Sequence, residues 1–190
     1  MNTTFLLHGG RLRNKDVRND LYFRELTKIL SDGDNLLHIP FARTPDKQQE
    51  VFEKEKEWIL EQTDKKITVV MAKHENLIQQ ISSSKAIHIT GGDCPKLVKE
   101  MQGYPDFVAS LKGKVVGGSS AGACLFATYY WTGDTMSVHE GLGVLPVALL
   151  VHYGSEEFHA TDAQLELLKP YAVGLELLAL EEAEWVIRGV

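Results

Sequence analysis

Cysteine is scarce in this chain, with only Cys94 and Cys124 among 190 residues. Two thiols cannot make a disulfide framework or a structural zinc site, so the fold must stand on its own core. Excess positive charge is also missing. The formal net charge is −6, whereas nucleic-acid binding asks for a basic face. No apolar run approaches the roughly 18 residues needed to span a bilayer. The opening residues, MNTTFLLHGG, lack the basic stretch and cleavage pattern of a signal peptide. No repeat, linker or low-complexity segment interrupts the chain. One domain over residues 1–190 is expected, in a reducing cytoplasmic compartment, without nucleic-acid or membrane partners.

What is present is a regular alternation. Strands are predicted at 3–8, 35–42, 66–72, 85–92 and 114–118, each of nearly continuous apolar character. Between them the apolar spacing predicts helices at 16–31, with Leu21, Leu26, Ile29 and Leu30 inward, and at 46–62, with Val51, Trp58 and Ile59 inward. Shorter helical stretches follow at 75–84, 94–102 and 104–113. Strands this apolar, alternating with helices, indicate an α/β fold with a parallel sheet covered on both faces. After residue 129 the alternation loosens into a loop with a short strand at 136–146, a strand at 147–154, a helix at 162–171 and two closing strands at 175–182 and 184–190.

The stretch VVGGSSAGACLF, 115–126, puts Ser120 in a G-x-S-x-G motif between a strand and an apolar helix. This is the pattern of a nucleophile elbow, where small neighbours permit a strained turn that pushes a hydroxyl outward. The first N–H groups of the following helix aim at the same place and would stabilise an oxyanion. A second glycine pair, Gly91-Gly92 in HITGGDCP, ends the neighbouring strand, and its N–H groups could complete the oxyanion hole. Asp93 after it reads equally as a helix cap. Cys124, one turn beyond Ser120, reads as a small buried filler.

A serine nucleophile needs a base. His8, His38 and His88 lie inside predicted strands, where packing is the expected role. His152 ends the apolar run VALLVHY, so its ring should emerge at a strand terminus, where open α/β sheets place their ligands. His159 is the reserve. Asp134 and Glu140 both lie between Ser120 and His152, and either could orient the imidazole. No cluster with metal-ligand spacing is visible, so no metal or other cofactor is expected.

ITGGD, GGSSAGA, GLGVLP followed six residues later by His152, and LALEEAEWVI together resemble the dipeptidase E family of serine peptidases, which includes aspartyl dipeptidases and cyanophycinases. The likeness runs over nearly the whole chain. It implies a class I glutamine amidotransferase-like fold, a three-layer α/β/α sandwich with a doubly wound, mostly parallel sheet. It also implies Ser120 as nucleophile, His152 as base, Asp134 as the acidic member ahead of Glu140, and oxyanion donors at Ala121 and at Gly91 or Gly92.

Three departures bear on substrate choice. The interval from Asp134 to GLGVLP is shorter than in aspartyl dipeptidases, which keeps Glu140 in play. Their GG-Asn is GG-Asp here. Residues 153–172 contain no arginine, although an acidic side chain would need a cation, preferably a guanidinium. Arg43 could supply one if its loop folds over the site, and otherwise Asp-X specificity is not expected. Asp93 or Glu182 could hold a free α-amino group, Glu182 being equally readable as an exposed strand-end carboxylate.

The expected activity is hydrolysis of short peptides through a covalent acyl-enzyme, by a monomer or homodimer. One alternative is a catalytically silent small-molecule-binding protein of the same fold, which the chain's end at EWVIRGV keeps open because relatives continue further. Another is a carboxylesterase, because LLHGG at 6–10 is similar to the oxyanion loop of such enzymes.

Overall fold

The computed structural model describes residues 2–190. Strands β1 (Thr4–His8), β2 (Asn35–Ile39), β3 (Thr68–Met71), β4 (Ala86–Ile89) and β5 (Val115–Ser119) run parallel, and β10 (Trp185–Gly189) joins antiparallel to β1. The order across the sheet is β10-β1-β5-β4-β2-β3.

Period-2 alternation divides each strand between two cores. Leu6, Leu36 and Ala86 pack with Tyr22, Phe23 and Leu26 of α1 (Val17–Thr27) and with Phe52 and Ile59 of α2 (Pro45–Glu61). Phe5, Leu7, Leu37 and Ile89 face the other way, against Leu77 of α3 (Leu77–Ser82), Leu97 and Met101 of α4 (Cys94–Gln102) and Phe107 of α5 (Phe107–Ser110). This is the doubly wound three-layer α/β/α arrangement that the alternation predicts.

Two details differ from the sequence reading. Helix α1 ends at Thr27, and its buried face is Tyr22, Phe23 and Leu26, while Leu21 and Ile29 stand exposed. The aromatic pair shifts the inward stripe by about one residue. The second difference is larger: the chain after residue 128 builds a separate sheet. β6 (Tyr129–Thr132), β7 (Ser137–Glu140), β8 (Val147–Tyr153) and β9 (Glu176–Glu181) take the order β7-β6-β8-β9. They could not extend the first sheet beside β5, because β1 and β4 already occupy both its edges. Instead Val147, Leu149 and Val151 pack on the α3–α5 side of the main core. Ala148 and Leu150 face outward under Leu168 of α7 (Asp162–Leu168).

The consequence for the site is geometric. β1, β2, β4 and β5 end on one rim of the main sheet, and β8 of the second sheet ends against it.

Candidate active site

Ser120 sits between β5 and the single-turn helix α6 (Ala121–Cys124) with φ 51° and ψ −111°. A non-glycine residue there stores strain on the order of 1–3 kcal/mol, which the surroundings must enforce. They do so by contact. A Cβ on Gly118 would lie 2.2 Å from Gly122 O, and one on Gly122 would lie 2.3 Å from Ile89 O. Only glycine fits at either end of the turn. The Ser120 N–H donates to His8 O at 2.9 Å and holds the corner against β1.

His152 arrives from β8 by an irregularity. Val151 pairs with Leu180 and Tyr153 with Glu181, so His152 is the extra residue of a bulge, with φ 58°. Its N–H leaves the ladder and donates to Gly9 O at 2.9 Å. The ring stacks on Phe158, with centroids 3.9 Å apart, and lies against Gly10, where a Cβ would come within 2.1 Å of the imidazole. So placed, Nε2 is 3.0 Å from Ser120 Oγ. Burial lowers the imidazole's pKa, with the neighbouring Glu182 opposing. A neutral ring beside a hydroxyl is the protonation state that can accept its proton.

The carboxylate at Nδ1 is neither of the two expected acids. Glu182, just past the end of β9, places Oε1 3.4 Å from His152 Nδ1 and 3.3 Å from Arg11 Nε. The parallel pairing of β8 with β9 brings their carboxyl ends together, which no in-sequence interval reveals. Asp134 lies in the β6–β7 turn, where Oδ2 accepts from Thr132 Oγ1 at 3.0 Å and from the Cys94 N–H at 3.3 Å. Glu140 is exposed on β7, opposite Tyr129. Neither forms a hydrogen bond with His152. Arg11 also pairs with Glu157 and lies over the Phe158 ring, 4.9 Å from its centroid, tying this corner together.

Above Ser120 is a cavity of about 520 Å³, open to solvent, lined among others by Arg43, Gly91, Gly92, Asp93 and Asp134. Gly91 approaches the nucleophile closely: a Cβ on it would sit 3.6 Å from Ser120 Oγ. The N–H groups of Ala121, Gly91 and Gly92 have no backbone acceptor among the described residues. A smaller cavity of about 280 Å³ adjoins on the side of Trp131, Asp134 and His159.

The sequence pattern of peptidase family S51 matches residues 4–189. The chain belongs to this family. It is therefore a serine-type peptidase. No curated protein matches the chain. Among solved structures, one from Listeria monocytogenes EGD-e, provisionally described as a peptidase E, is 15% identical with a TM-score of 0.66 and covers 100% of both chains. A peptidase from an acI-B1 Actinobacterium is 17% identical with a TM-score of 0.66, covering 99% of this chain and 84% of its own. At these identities the two structures establish the shared fold.

The remaining residues of this S51 peptidase sort by contact. Asp93 caps α4, accepting from the Lys96 N–H at 2.8 Å, and also lines the larger cavity. Arg43 lines it too, and its Nε is buried without a partner among the described residues. Gly10 N–H donates to His8 Nδ1 at 3.0 Å, so LLHGG is occupied in packing and does not serve as an esterase-type oxyanion loop. Cys124 is wholly buried and its thiol pKa is raised, first by Cys94 and then by burial, which leaves it inert. No helix of the structure is long and apolar enough to cross a membrane.

The sequence reading foresaw no metal-ligand group, yet the fold gathers one. His38, His88 and Glu55, from β2, β4 and α2, place ligand atoms within 4.8 Å of one another in the interior. The signal for Glu55 was its position: it shares one helical stripe with Val51 and Ile59, where a charge is out of place.

Proposed function

We propose that this S51 peptidase hydrolyses short peptides through an acyl-enzyme on Ser120. The observation that carries the reading is the 3.0 Å approach of His152 Nε2 to a serine held outward by a strained elbow. His152 takes the hydroxyl proton as Oγ attacks the scissile carbonyl, then delivers it to the leaving amine. Water, deprotonated by the same ring, releases the acyl group. Glu182 replaces Asp134 in the orienting role, holding Nδ1–H and stabilising the imidazolium.

The oxyanion is received by the Ala121 N–H and by that of Gly91 or Gly92, each donor contributing about 2.7–4 kcal/mol to the transition state. The cavity volume suits a dipeptide or tripeptide and excludes a folded protein. It also carries both signs of charge. Asp134, freed from the triad, and Asp93 receive the substrate's α-ammonium group, and the unpartnered Arg43 guanidinium receives a carboxylate. A zwitterionic dipeptide satisfies both ends. Because the cation comes from the β2 loop, an acidic first residue is not a requirement.

Fluorophosphonate labelling tests the nucleophile. Covalent labelling of the wild type that disappears in Ser120→Ala supports the reading. Absence of labelling on folded wild type overturns it in favour of a silent binding protein. A dipeptide panel then separates general dipeptidase activity from cleavage restricted to Asp-X.

A further inference from the structure

Below the floor of the larger cavity lies a polar cluster that peptide hydrolysis does not use. His38 and His88 are directly paired residues on the adjacent parallel strands β2 and β4, so both imidazoles leave the same face of the sheet side by side. Glu55 of α2 comes down between them. Its Oε2 is 2.7 Å from His38 Nε2 and 3.2 Å from His88 Nε2. Thr90 Oγ1 also contacts Oε2 and lies 3.1 Å from His38 Nε2. Both imidazoles are 0% exposed and the Glu55 residue is 4% exposed.

Read as hydrogen bonding alone, this arrangement is crowded. One carboxylate oxygen would accept from three donors, more than its two lone pairs serve well. A carboxylate this deeply buried is also a charge that interiors avoid unless a cation matches it. Two imidazole nitrogens and a carboxylate oxygen are the donor set of divalent zinc-class sites. Ligand atoms around such an ion lie about 3.3 Å apart for bonds of roughly 2.0 Å. The two distances from Glu55 Oε2, 2.7 and 3.2 Å, lie just below that spacing, and all three ligand atoms lie within 4.8 Å of one another.

We propose that His38, His88 and Glu55 bind one divalent transition-metal ion of the zinc class, with a fourth position for Thr90 or a water. The elements around the cluster suit this. His88 Nδ1 is 3.2 Å from Tyr22 Oη, an outer partner that orients the ring. His38 Nδ1 has no partner among the described residues, so no acceptor or donor there fixes the tautomer, and Nε2 can offer its lone pair to an ion without any turn of the ring. Glu55 lines the active-site cavity, which gives an ion its route in. The site would pin Thr90, and with it Gly91 beside the nucleophile, to two strands and a helix. Its role is structural; no step of the peptidase reaction passes through it.

The test uses the whole protein, stripped with a chelator and confirmed folded, and titrated with Co²⁺ and Zn²⁺ alone. The expected result is one equivalent of Co²⁺ giving the intense visible bands of a four-coordinate ion, displaced by Zn²⁺, with a raised Tm. His88→Gln and Glu55→Gln should weaken binding on the order of 100-fold or more, whereas a His74→Gln/His139→Gln variant, altered only at outer histidines, should bind as wild type. Ser120→Ala should also bind fully, so a failure of the nucleophile assignment would leave this result intact. The proposal falls if stripped wild type takes up neither ion at millimolar concentration, or if binding survives in both cluster variants. Should those variants fail to fold, the wild-type stoichiometry and band shape decide by themselves.

Discussion

The molecule sets imidazole beside carboxylate in two places and treats them in opposite ways. At the rim, His152 sits on a bulge with φ 58°, its Glu182 partner is 3.4 Å away, and that carboxylate is shared with Arg11. In the interior, His38 and His88 occupy regular strand positions and close on Glu55 at 2.7 and 3.2 Å. The rim pair is distorted, loosely bonded and open to a cavity. The inner cluster is regular, tight and buried, reaching the cavity only through Glu55. Reactivity here comes from backbone irregularity at the edge of a rigid sheet, and the same side-chain types, placed in register within that sheet, become part of its framework.

The difference can be broken from the rim inward. Ser120→Ala should lower kcat by roughly 10⁴- to 10⁶-fold with little change in Tm, because only the reacting atom is lost. Glu182→Gln should lower kcat on the order of 10³-fold. It should also move the acid limb of the pH–kcat/KM profile to lower pH, since Glu182 raises the His152 pKa against the effect of burial and Gln cannot. An unchanged limb would return the orienting role to Asp134. Gly10→Ala should cost about 10²-fold in kcat by displacing the imidazole it underlies, the size expected for a misplacement of about 1 Å; a crystal structure of the variant checks the displacement.

The interior side is sharpened by acid. Burial pushes His8 down to about 4, so between about 6.5 and 4 the unfolded chain binds a proton that the folded chain refuses. Stability at pH 7 should therefore fall by about 3 kcal/mol toward pH 4 from this residue alone. His8→Gln should flatten that part of the urea-midpoint profile. The smallest effect belongs to Asp134→Asn, expected to raise KM about tenfold for unblocked dipeptides and to leave amino-blocked substrates unaffected.

Legibility followed the range of the interactions. The elbow was readable because Gly118, Ser120 and Gly122 constrain one another within five residues. His152 was readable because an apolar run that ends in histidine marks a strand terminus. The role of Glu182 was not, because its contact with the imidazole depends on the parallel pairing of β8 and β9 and on a one-residue bulge. The pairing of Tyr153 with Glu181 shows what signal existed: two apolar runs, VALLVHY and LELLALEE, that each end in a titratable group. The second sheet was only half visible, since YYWT follows the elbow helix too closely to read as an independent strand. Glu55 was visible in principle as a charge on an apolar stripe, but its two histidines lay 17 and 33 residues away on different strands.

One bond carries a consequence for how the protein comes into being. The His152 N–H closes on the Gly9 carbonyl, and β1, which carries that loop, lies between β5 and the C-terminal strand β10. Serine and imidazole are therefore both backed by the chain's first strand and the loop after it, more than 100 residues earlier in sequence: Ser120 N–H rests on His8 O and His152 N–H on Gly9 O. Until β1 has docked beside β5, neither the serine nor the imidazole has the backbone carbonyl that positions it.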